Sequence, residues 1–133
     1  MKKVLFVSSV VITALLFMNF SMSDGLNSEN VESPNQIDIP EDVQAIIDNS
    51  CYGCHNTESK NTKGKKKLEF DALNSLKKYK VIGKLTEITE VVSENEMPPE
   101  KFLNKYPEKA LTEEQKSILI NWSDDTAKKL AGE

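Results

Sequence analysis

Apolar residues recur along this chain at every third or fourth position, the spacing of one face of an α-helix. The pattern predicts three helical stretches, over residues 40–49, 70–92 and 112–131, with a break near Gly83 in the second. No segment alternates apolar and polar residues for long enough to predict a strand. The hydrophobic pattern therefore indicates an all-α fold.

Local signals mark where the first and last of these helices begin. Pro40 stands before two acidic residues, an order that is typical of the first turn of a helix. Thr112 is followed three positions later by Gln115, which is the spacing of a capping box. Trp122 falls on the inner side of the last helix, where its spacing predicts a core aromatic.

An apolar leader precedes the helices. Two lysines, an apolar stretch over residues 4–20 and small residues at positions 21 and 23 predict a signal peptide over residues 1–23. The alternative is an uncleaved N-terminal anchor, because residues 4–22 fall within the ~17–25 residues that cross a bilayer. We therefore expect an exported, periplasmic protein, or one that is anchored to the inner membrane and faces the periplasm.

A polar segment separates the leader from the first helix. Residues 24–36 are predicted to form a flexible tether, because they bury too little apolar surface to offset their ordering entropy. The folded domain is then expected over residues 37–133. Cleavage after residue 23 would leave 110 residues with a formal charge of −6 and a single methionine, Met97.

Composition excludes several classes of protein. All 17 basic residues are lysine, and the formal charge of −4 with a pI near 5.1 argues against a nucleic-acid-binding protein. The lack of arginine also argues against an enzyme that clamps phosphates or carboxylates with two parallel hydrogen bonds. A single histidine excludes a metal site built from several histidines of this chain.

One short basic run departs from this acidic background. Lys63 and the three lysines at 65–67 lie in the polar segment 56–67, between the first two predicted helices. We expect this segment to be a solvated loop. The alternative is a docking patch for an acidic partner, where charge would steer the encounter.

The candidate site is the sequence Cys51-Tyr52-Gly53-Cys54-His55. Cys-x-x-Cys-His is the attachment sequence of c-type haem. Two thiols at this spacing can each form a thioether with one vinyl group of the porphyrin, and the next residue then offers an imidazole nitrogen to the iron. The only two cysteines and the only histidine of the chain fall within these five residues. The motif therefore predicts one covalently bound haem c, held by Cys51 and Cys54, with His55 as the proximal iron ligand.

Three other interpretations of the motif are weaker. A disulfide between Cys51 and Cys54 would close a small strained loop and leave His55 unexplained. A thioredoxin-like redox pair requires a βαβ context, which the helical pattern does not provide. A zinc site would need a fourth ligand, and only carboxylates remain to supply one.

The distal iron ligand is expected from the sequence Glu96-Met97-Pro98-Pro99. A second histidine ligand from this chain is excluded, and Met97 is the only methionine of the expected mature chain. A residue before proline is disfavoured in a helix, and two prolines favour an extended loop that can aim a side chain across the haem. The thioether sulfur would raise the reduction potential. The alternatives are a methionine that fills a gap in the core and an iron with an open position.

These two motifs, with the segment 106–111 and the tryptophan of the last helix, resemble the small haem-binding domain family of exported single-haem proteins, which is similar in style to class I cytochromes c. The resemblance covers roughly residues 43–122. It implies a small cytochrome c-like helical domain wrapped around one covalently attached haem. The first and last helices would cross beside the haem, with Trp122 in the contact and against the haem edge. The chain departs from the family at Tyr106, where members often carry histidine, and after His55, where members often carry aromatic residues.

The expected ligands indicate what the protein does. An iron with two protein ligands has no vacant position for a substrate, so we expect an electron carrier rather than an enzyme. The expected partner is a redox protein, which can itself be membrane-bound; we expect a monomer that binds no nucleic acid and meets the membrane only through an uncleaved leader. Two alternatives stay open: a haem protein that binds gas or peroxide after Met97 dissociates, and a haem module of a larger redox complex.

Overall fold

Residues 36–133 are described by a computed structural model, and every regular element within that range is a helix. This confirms the expected all-α fold. The elements are α1 Glu41–Ser50, α2 Thr62–Lys67, a 3₁₀ helix Phe70–Ser75, α3 Lys78–Ser93, α4 Glu100–Leu103, a 3₁₀ helix Pro107–Lys109 and α5 Glu113–Ala131. None of these helices is both long enough and apolar enough to cross a membrane. The predicted signal peptide and the first twelve residues of the predicted tether lie outside the described residues.

Helices α3 and α5 form the largest helix–helix contact in the described part of the chain. Helix α3 carries a buried stripe along its whole length, and α5 packs its apolar side against it. Helix α1 also contacts α5, as the resemblance implied, but α3 is the larger partner of α5. The buried apolar side chains of the core are Ile37, Val43, Ile46, Ile47, Leu73, Val81, Leu85, Ile88, Val92, Leu119, Trp122 and Ala127.

The start of α5 has the capping box that the sequence predicted. The backbone N–H of Gln115 donates to Thr112 Oγ1 at 3.2 Å, and the backbone N–H of Thr112 donates to Gln115 Oε1 at 3.0 Å. Gly132, with a φ of 93°, ends the helix in the left-handed conformation that glycine favours. Because both ends are capped, α5 has sharply defined limits.

The predicted break near Gly83 is wrong. The second helical stretch is interrupted earlier, at Leu76 and Lys77, whose extended backbone separates the first 3₁₀ helix from α3. Gly83 lies inside α3, where a Cβ added to it would meet no atom within 4 Å. A glycine in a helix costs only about 1 kcal/mol relative to alanine, and the packing of the rest of α3 outweighs that cost.

The expected solvated loop over residues 56–67 is wrong in its second half, which forms α2. Asn61 caps this helix, since its side-chain oxygen accepts the backbone N–H of Gly64 at 3.0 Å. At the other end the N–H of Leu68 donates to Gly64 O at 2.9 Å. A lysine-rich helix of six residues is not stable in isolation, so the asparagine cap and the tertiary contacts decide its formation.

Helix α3 ends in a Schellman motif that turns the chain at Met97. Asn95 has a φ of 60°, in the left-handed region that asparagine tolerates better than most residues. Its N–H donates to Val92 O at 3.2 Å, and the N–H of Glu96 donates to Val91 O at 2.9 Å. The N–H of Met97 also donates to Val91 O, at 3.3 Å. Met97 therefore lies outside any helix but stays tied to the last turn of α3.

Candidate functional site

The Cys-x-x-Cys-His motif begins where α1 ends. The N–H of Cys51 donates to Ile47 O at 2.8 Å and so continues the helical pattern by one residue. The N–H groups of Cys54 and His55 then both donate to Cys51 O, at 3.1 and 3.2 Å. This tight turn holds the two cysteines and the histidine close together.

Cys51, Cys54 and His55 line a cavity of about 420 Å³. Met97, which follows α3 in the chain, lines the same cavity. The apolar residues that complete the walls are Leu68, Phe70, Ile88, Val91, Val92, Pro98, Pro99, Phe102, Leu111 and Leu119. The fold thus brings four of the five predicted site residues to one apolar chamber.

The imidazole of His55 is oriented by the backbone. Its Nδ1 lies 3.2 Å from the carbonyl oxygen of Leu68. Because a carbonyl oxygen can only accept, Nδ1 carries a proton in this contact, and in the neutral ring the lone pair then lies on Nε2. Nε2 is therefore the nitrogen available to a metal, and the Leu68 carbonyl holds the ring as the outer partners of metal-bound histidines do.

Helix α2 packs directly against the motif at Gly64. A Cβ on Gly64 would lie 2.8 Å from the carbonyl oxygen of Cys54 and 3.3 Å from its Cβ. Any larger residue would push α2 away from the motif. Sequence reasoning missed this position, although an isolated glycine in a run of lysines is a signal of close backbone approach.

Asp71 joins the motif to the first 3₁₀ helix. Its carboxylate accepts the hydroxyl of Tyr52 at 2.5 Å, and the N–H and hydroxyl of Thr57 at 2.9 and 3.0 Å. The hydrogen bond from Tyr52, followed by those from Thr57, holds the pKa of Asp71 below its usual value. The same bond raises the pKa of Tyr52. No local pattern points to Asp71, because its partners lie 14 and 19 positions away in the chain.

Both cysteines are free thiols. Burial, and to a lesser degree the charge of Cys54, raises the pKa of Cys51 to about 12. Cys51 is therefore a neutral thiol at physiological pH. Since the thiolate is the form that exchanges with disulfides, this environment argues against the redox-pair interpretation of the motif.

Charged side chains also line part of the cavity. Lys67 and Lys84 line it together with Glu87, whose carboxylate lies 3.3 Å and 3.2 Å from their ammonium groups. Burial alone would raise the pKa of Glu87, but the two lysines outweigh burial and hold that pKa below its usual value. Glu87 is therefore ionised at neutral pH. Lys63 also lines the cavity but does not pair with Glu87.

Trp122, the fifth predicted site residue, lies in the core and is not among the residues that line the cavity. Its indole N–H donates to the carbonyl oxygen of Asp38 at 3.1 Å, just before α1. This bond joins α5 to the segment that leads into α1. Contact between Trp122 and a haem edge stays a prediction, and Leu119 is the residue of α5 that lines the cavity.

The lining of the cavity fits a haem. Its volume falls within the ~300–1,000 Å³ of typical cofactor pockets, and its walls are apolar with a few converging polar groups. The donor atoms that it offers are two thiol sulfurs, one thioether sulfur and one imidazole nitrogen. Sulfur and imidazole are the groups by which proteins attach haem c and hold its iron.

An all-α domain that gathers thiol, imidazole and thioether groups around one apolar chamber is of the class that holds a metal-bearing prosthetic group. The chain belongs to the haem-binding domain family, whose model matches residues 59–125, just over half of the sequence. It is therefore a haem-binding protein. The matched segment includes Met97 but begins after His55, so the family match and the Cys-x-x-Cys-His motif are separate indications of the same cofactor. No curated protein and no solved structure matches the chain.

Proposed function

We propose that the protein is an exported monohaem c-type cytochrome that transfers electrons through a haem with histidine and methionine ligands. The observation that carries the proposal is that Cys51, Cys54, His55 and Met97 line one cavity. Three of these groups come from the end of α1 and the fourth from the loop after α3. Core packing alone does not explain why these four groups line the same cavity.

The two cysteines would attach the haem. Each thiol adds across one vinyl group, so that sulfur bonds to one vinyl carbon and the thiol hydrogen goes to the other. Nothing is oxidised or reduced in the balance, and no further reactant is needed. Cys51 and Cys54 suit this addition because both are free and border the chamber in which the porphyrin would lie.

His55 and Met97 would hold the iron. The Leu68 carbonyl fixes the tautomer of His55 that leaves Nε2 free, so this ligand is oriented before any metal is bound. The hydrogen bond from Met97 N–H to Val91 O ties the second ligand to a rigid helix end. When bound, the haem supplies one-electron chemistry at the iron, and a thioether ligand raises its reduction potential.

The apolar walls of the cavity would also influence how a bound haem behaves. Leucine, isoleucine, valine and phenylalanine side chains of the cavity would keep water from a bound haem. With His55 and Met97 both holding the iron, no position would remain for a substrate, and the haem would serve as an electron carrier rather than as a catalyst. Export agrees with the leader sequence, since c-type haem is attached outside the cytoplasm.

Expression of the full chain in the periplasm, together with a c-type haem attachment system, tests covalent binding. We expect a pyridine haemochrome spectrum of haem with two thioether bonds, and an intact mass increased by one haem and reduced by residues 1–23. The variant Cys51→Ser/Cys54→Ser is the control and should carry no covalent haem. Haem that extracts into acidified solvent from the wild-type protein would contradict the proposal.

Met97 is tested separately. The ferric protein should show the weak far-red absorption band of methionine-bound iron, and Met97→Ala should lose it and bind carbon monoxide rapidly when reduced. Leu103→Ala, a nearby change outside the cavity lining, should keep the band. Rapid carbon monoxide binding by the wild-type protein would instead favour the gas-binding alternative.

A further inference from the structure

The positive charge of this acidic protein is concentrated in one segment. Residues 60–84 contain nine of the 17 lysines and only two acidic residues, although the chain as a whole carries a formal charge of −4. In the fold this segment forms α2 and the start of α3. A strongly basic region therefore lies on an otherwise acidic molecule.

Part of this region lines the haem chamber or lies beside it. We define the basic rim as Lys63, Lys65, Lys66 and Lys67 of α2 with Lys84 of α3. Three of these lysines line the chamber, and four line a smaller neighbouring cavity of about 130 Å³ that shares residues with it. The rim is thus a largely exposed basic surface beside the cofactor site.

The rim is only partly neutralised. Glu69 lies 3.9 Å from Lys65, and Glu87 pairs with two other rim lysines at 3.3 Å and 3.2 Å. Lys63 and Lys66 are exposed, and neither takes part in an ion pair within residues 36–133. Five lysines against two carboxylates leave a clear excess of positive charge.

Helix stability accounts for the lysines of the last turn of α2, which complement the helix dipole, but not for Lys63. Lys63 is three and four positions from Lys66 and Lys67, the separations at which like charges on a helix repel. Lys63 also stands in the first turn of α2, where the helix dipole disfavours a cation. The charge of Lys63 therefore has a folding cost that a partner of opposite charge would offset.

We propose that the basic rim is the docking surface for an acidic redox protein, which exchanges electrons with the haem at this edge of the chamber. This inference rests on the proposed electron-transfer function. A protein is favoured over a lipid surface because four lysines and a single carboxylate, Glu69, line the small cavity, a local charge pattern that an acidic side chain complements, and because the exposed large aromatic residues, Tyr52, Tyr79 and Tyr106, all lie outside α2. Charge at such a surface raises the rate of encounter and selects the partner.

The sign of the salt dependence tests the proposal without knowledge of the partner. The reduced holoprotein is mixed with hexacyanoferrate(III), an anionic oxidant, at ionic strengths from about 10 mM to about 300 mM, which spans most of the range of screening. If electrons leave through the basic rim, the rate falls as salt rises. If the net negative charge of the protein governs the approach, the rate rises instead, and the proposal is overturned.

Matched variants locate the effect. Lys63→Gln/Lys66→Gln removes two rim charges that have no ion-pair partner within residues 36–133, and Lys128→Gln/Lys129→Gln removes the same number from the end of α5, where Lys128 pairs with Asp124. We expect the first variant to react with hexacyanoferrate(III) roughly three- to tenfold more slowly at low salt, and the second to react at nearly the wild-type rate. The cationic tris-phenanthroline complex of cobalt(III) should show the reverse, a faster reaction with the rim variant. Equal effects of the two variants would overturn the assignment to the rim.

Two further outcomes separate this inference from the proposed function. A holoprotein that cannot be reversibly reduced would remove the electron-transfer function itself, whereas normal reduction with a salt dependence of the wrong sign removes only the docking surface. Sedimentation with phosphatidylglycerol vesicles at physiological salt provides the other check. Binding by the wild-type protein that is lost in Lys63→Gln/Lys66→Gln would identify a membrane as the occupant and overturn the protein partner.

Discussion

Helices α3 and α5 bury apolar side chains along their whole shared length, whereas residues 51–77, which we call the motif half, bury only Leu73. The motif half is joined instead by hydrogen bonds, from His55 to the Leu68 carbonyl and from several groups to Asp71. Its apolar residues Leu68 and Phe70 are only partly buried, and both line the chamber as well as packing against the edge of the core. The α3–α5 pair thus buries its own apolar surface, whereas part of the apolar surface of the motif half lies on the wall of the chamber.

This difference indicates how the domain uses its haem. A packed pair of helices needs no ligand to bury its apolar area, because that area is already removed from water. The motif half has hydrogen bonds that orient His55 and Tyr52 but little hydrophobic stabilisation of its own. The haem would therefore act as the missing core of the motif half, while α3 supplies a fixed wall against which it packs.

The largest expected effect comes from a cavity in the packed pair. Leu85 is fully buried in α3, so Leu85→Ala should lower the free energy of unfolding by about 2–5 kcal/mol. Ile82→Ala, a change at a half-buried position of the same helix, should cost clearly less. Denaturant unfolding of the holoprotein measures both. Equal losses would show that stability is not concentrated at the contact between α3 and α5.

A second prediction contrasts two glycines that both lie in helices. Gly64→Ala places a Cβ 2.8 Å from the Cys54 carbonyl, so it should destabilise the protein by about 1–3 kcal/mol and reduce haem attachment. Gly83→Ala meets no atom and should instead stabilise by about 0.5–1 kcal/mol, because alanine is the better helix former. Denaturant titration and haem content per chain measure the pair. A stabilising Gly64→Ala would show that α2 does not need its close approach to the motif.

A smaller effect is expected at the end of α3. Valine at position 95 would have to adopt the φ of 60° that Asn95 has, at a cost of about 1–2 kcal/mol, and the turn before Met97 would distort. Asn95→Gly is the matched control, since glycine adopts this conformation freely. Thermal unfolding and the far-red band of the ferric protein measure the change. If Asn95→Val kept full stability and the far-red band, the Schellman turn would not be what positions Met97.

The smallest effect concerns pH. The Tyr52 hydroxyl and the Thr57 N–H hold the pKa of Asp71 below its usual value in the folded protein, so its contribution to stability is present above that usual value and is lost as pH falls through the folded pKa. The hydrogen bond to Asp71 raises the pKa of Tyr52, so its contribution is present below its usual value and is lost as pH rises through the folded pKa. Asp71→Asn should flatten the acid edge of a stability–pH profile, and Tyr52→Phe the alkaline edge. Unchanged edges in both variants would show that the bond between them contributes nothing to stability.

Much of the fold could be predicted because its signals are local. The capping box at Thr112 and Gln115, the apolar stripes of the helices and the departure of Met97 from a helix before Pro98 all depend on residues within a few positions of one another. The Cys-x-x-Cys-His motif likewise predicts a haem site from five adjacent residues. Patterns of this kind need no knowledge of the tertiary structure.

The parts that were not predicted depend on distant residues. The 3₁₀ helix and the extended residues before α3 follow from the closure of the motif half, which no local periodicity describes. Asp71 and the Leu68 carbonyl meet the motif only after the chain has turned back on itself. Helix α2 forms in a run of lysines because Asn61 caps it and because Gly64 can lie against Cys54.

The link between His55 and position 68 has a consequence for how this sequence can vary. The acceptor is a main-chain oxygen, which every amino acid possesses, so replacing the side chain of Leu68 does not remove it. Residue 68 can therefore change to suit the walls of the chamber without disturbing the tautomer of His55. What must be preserved is the path of the backbone between the two residues, a constraint on loop length and turn geometry rather than on the identity of any one residue.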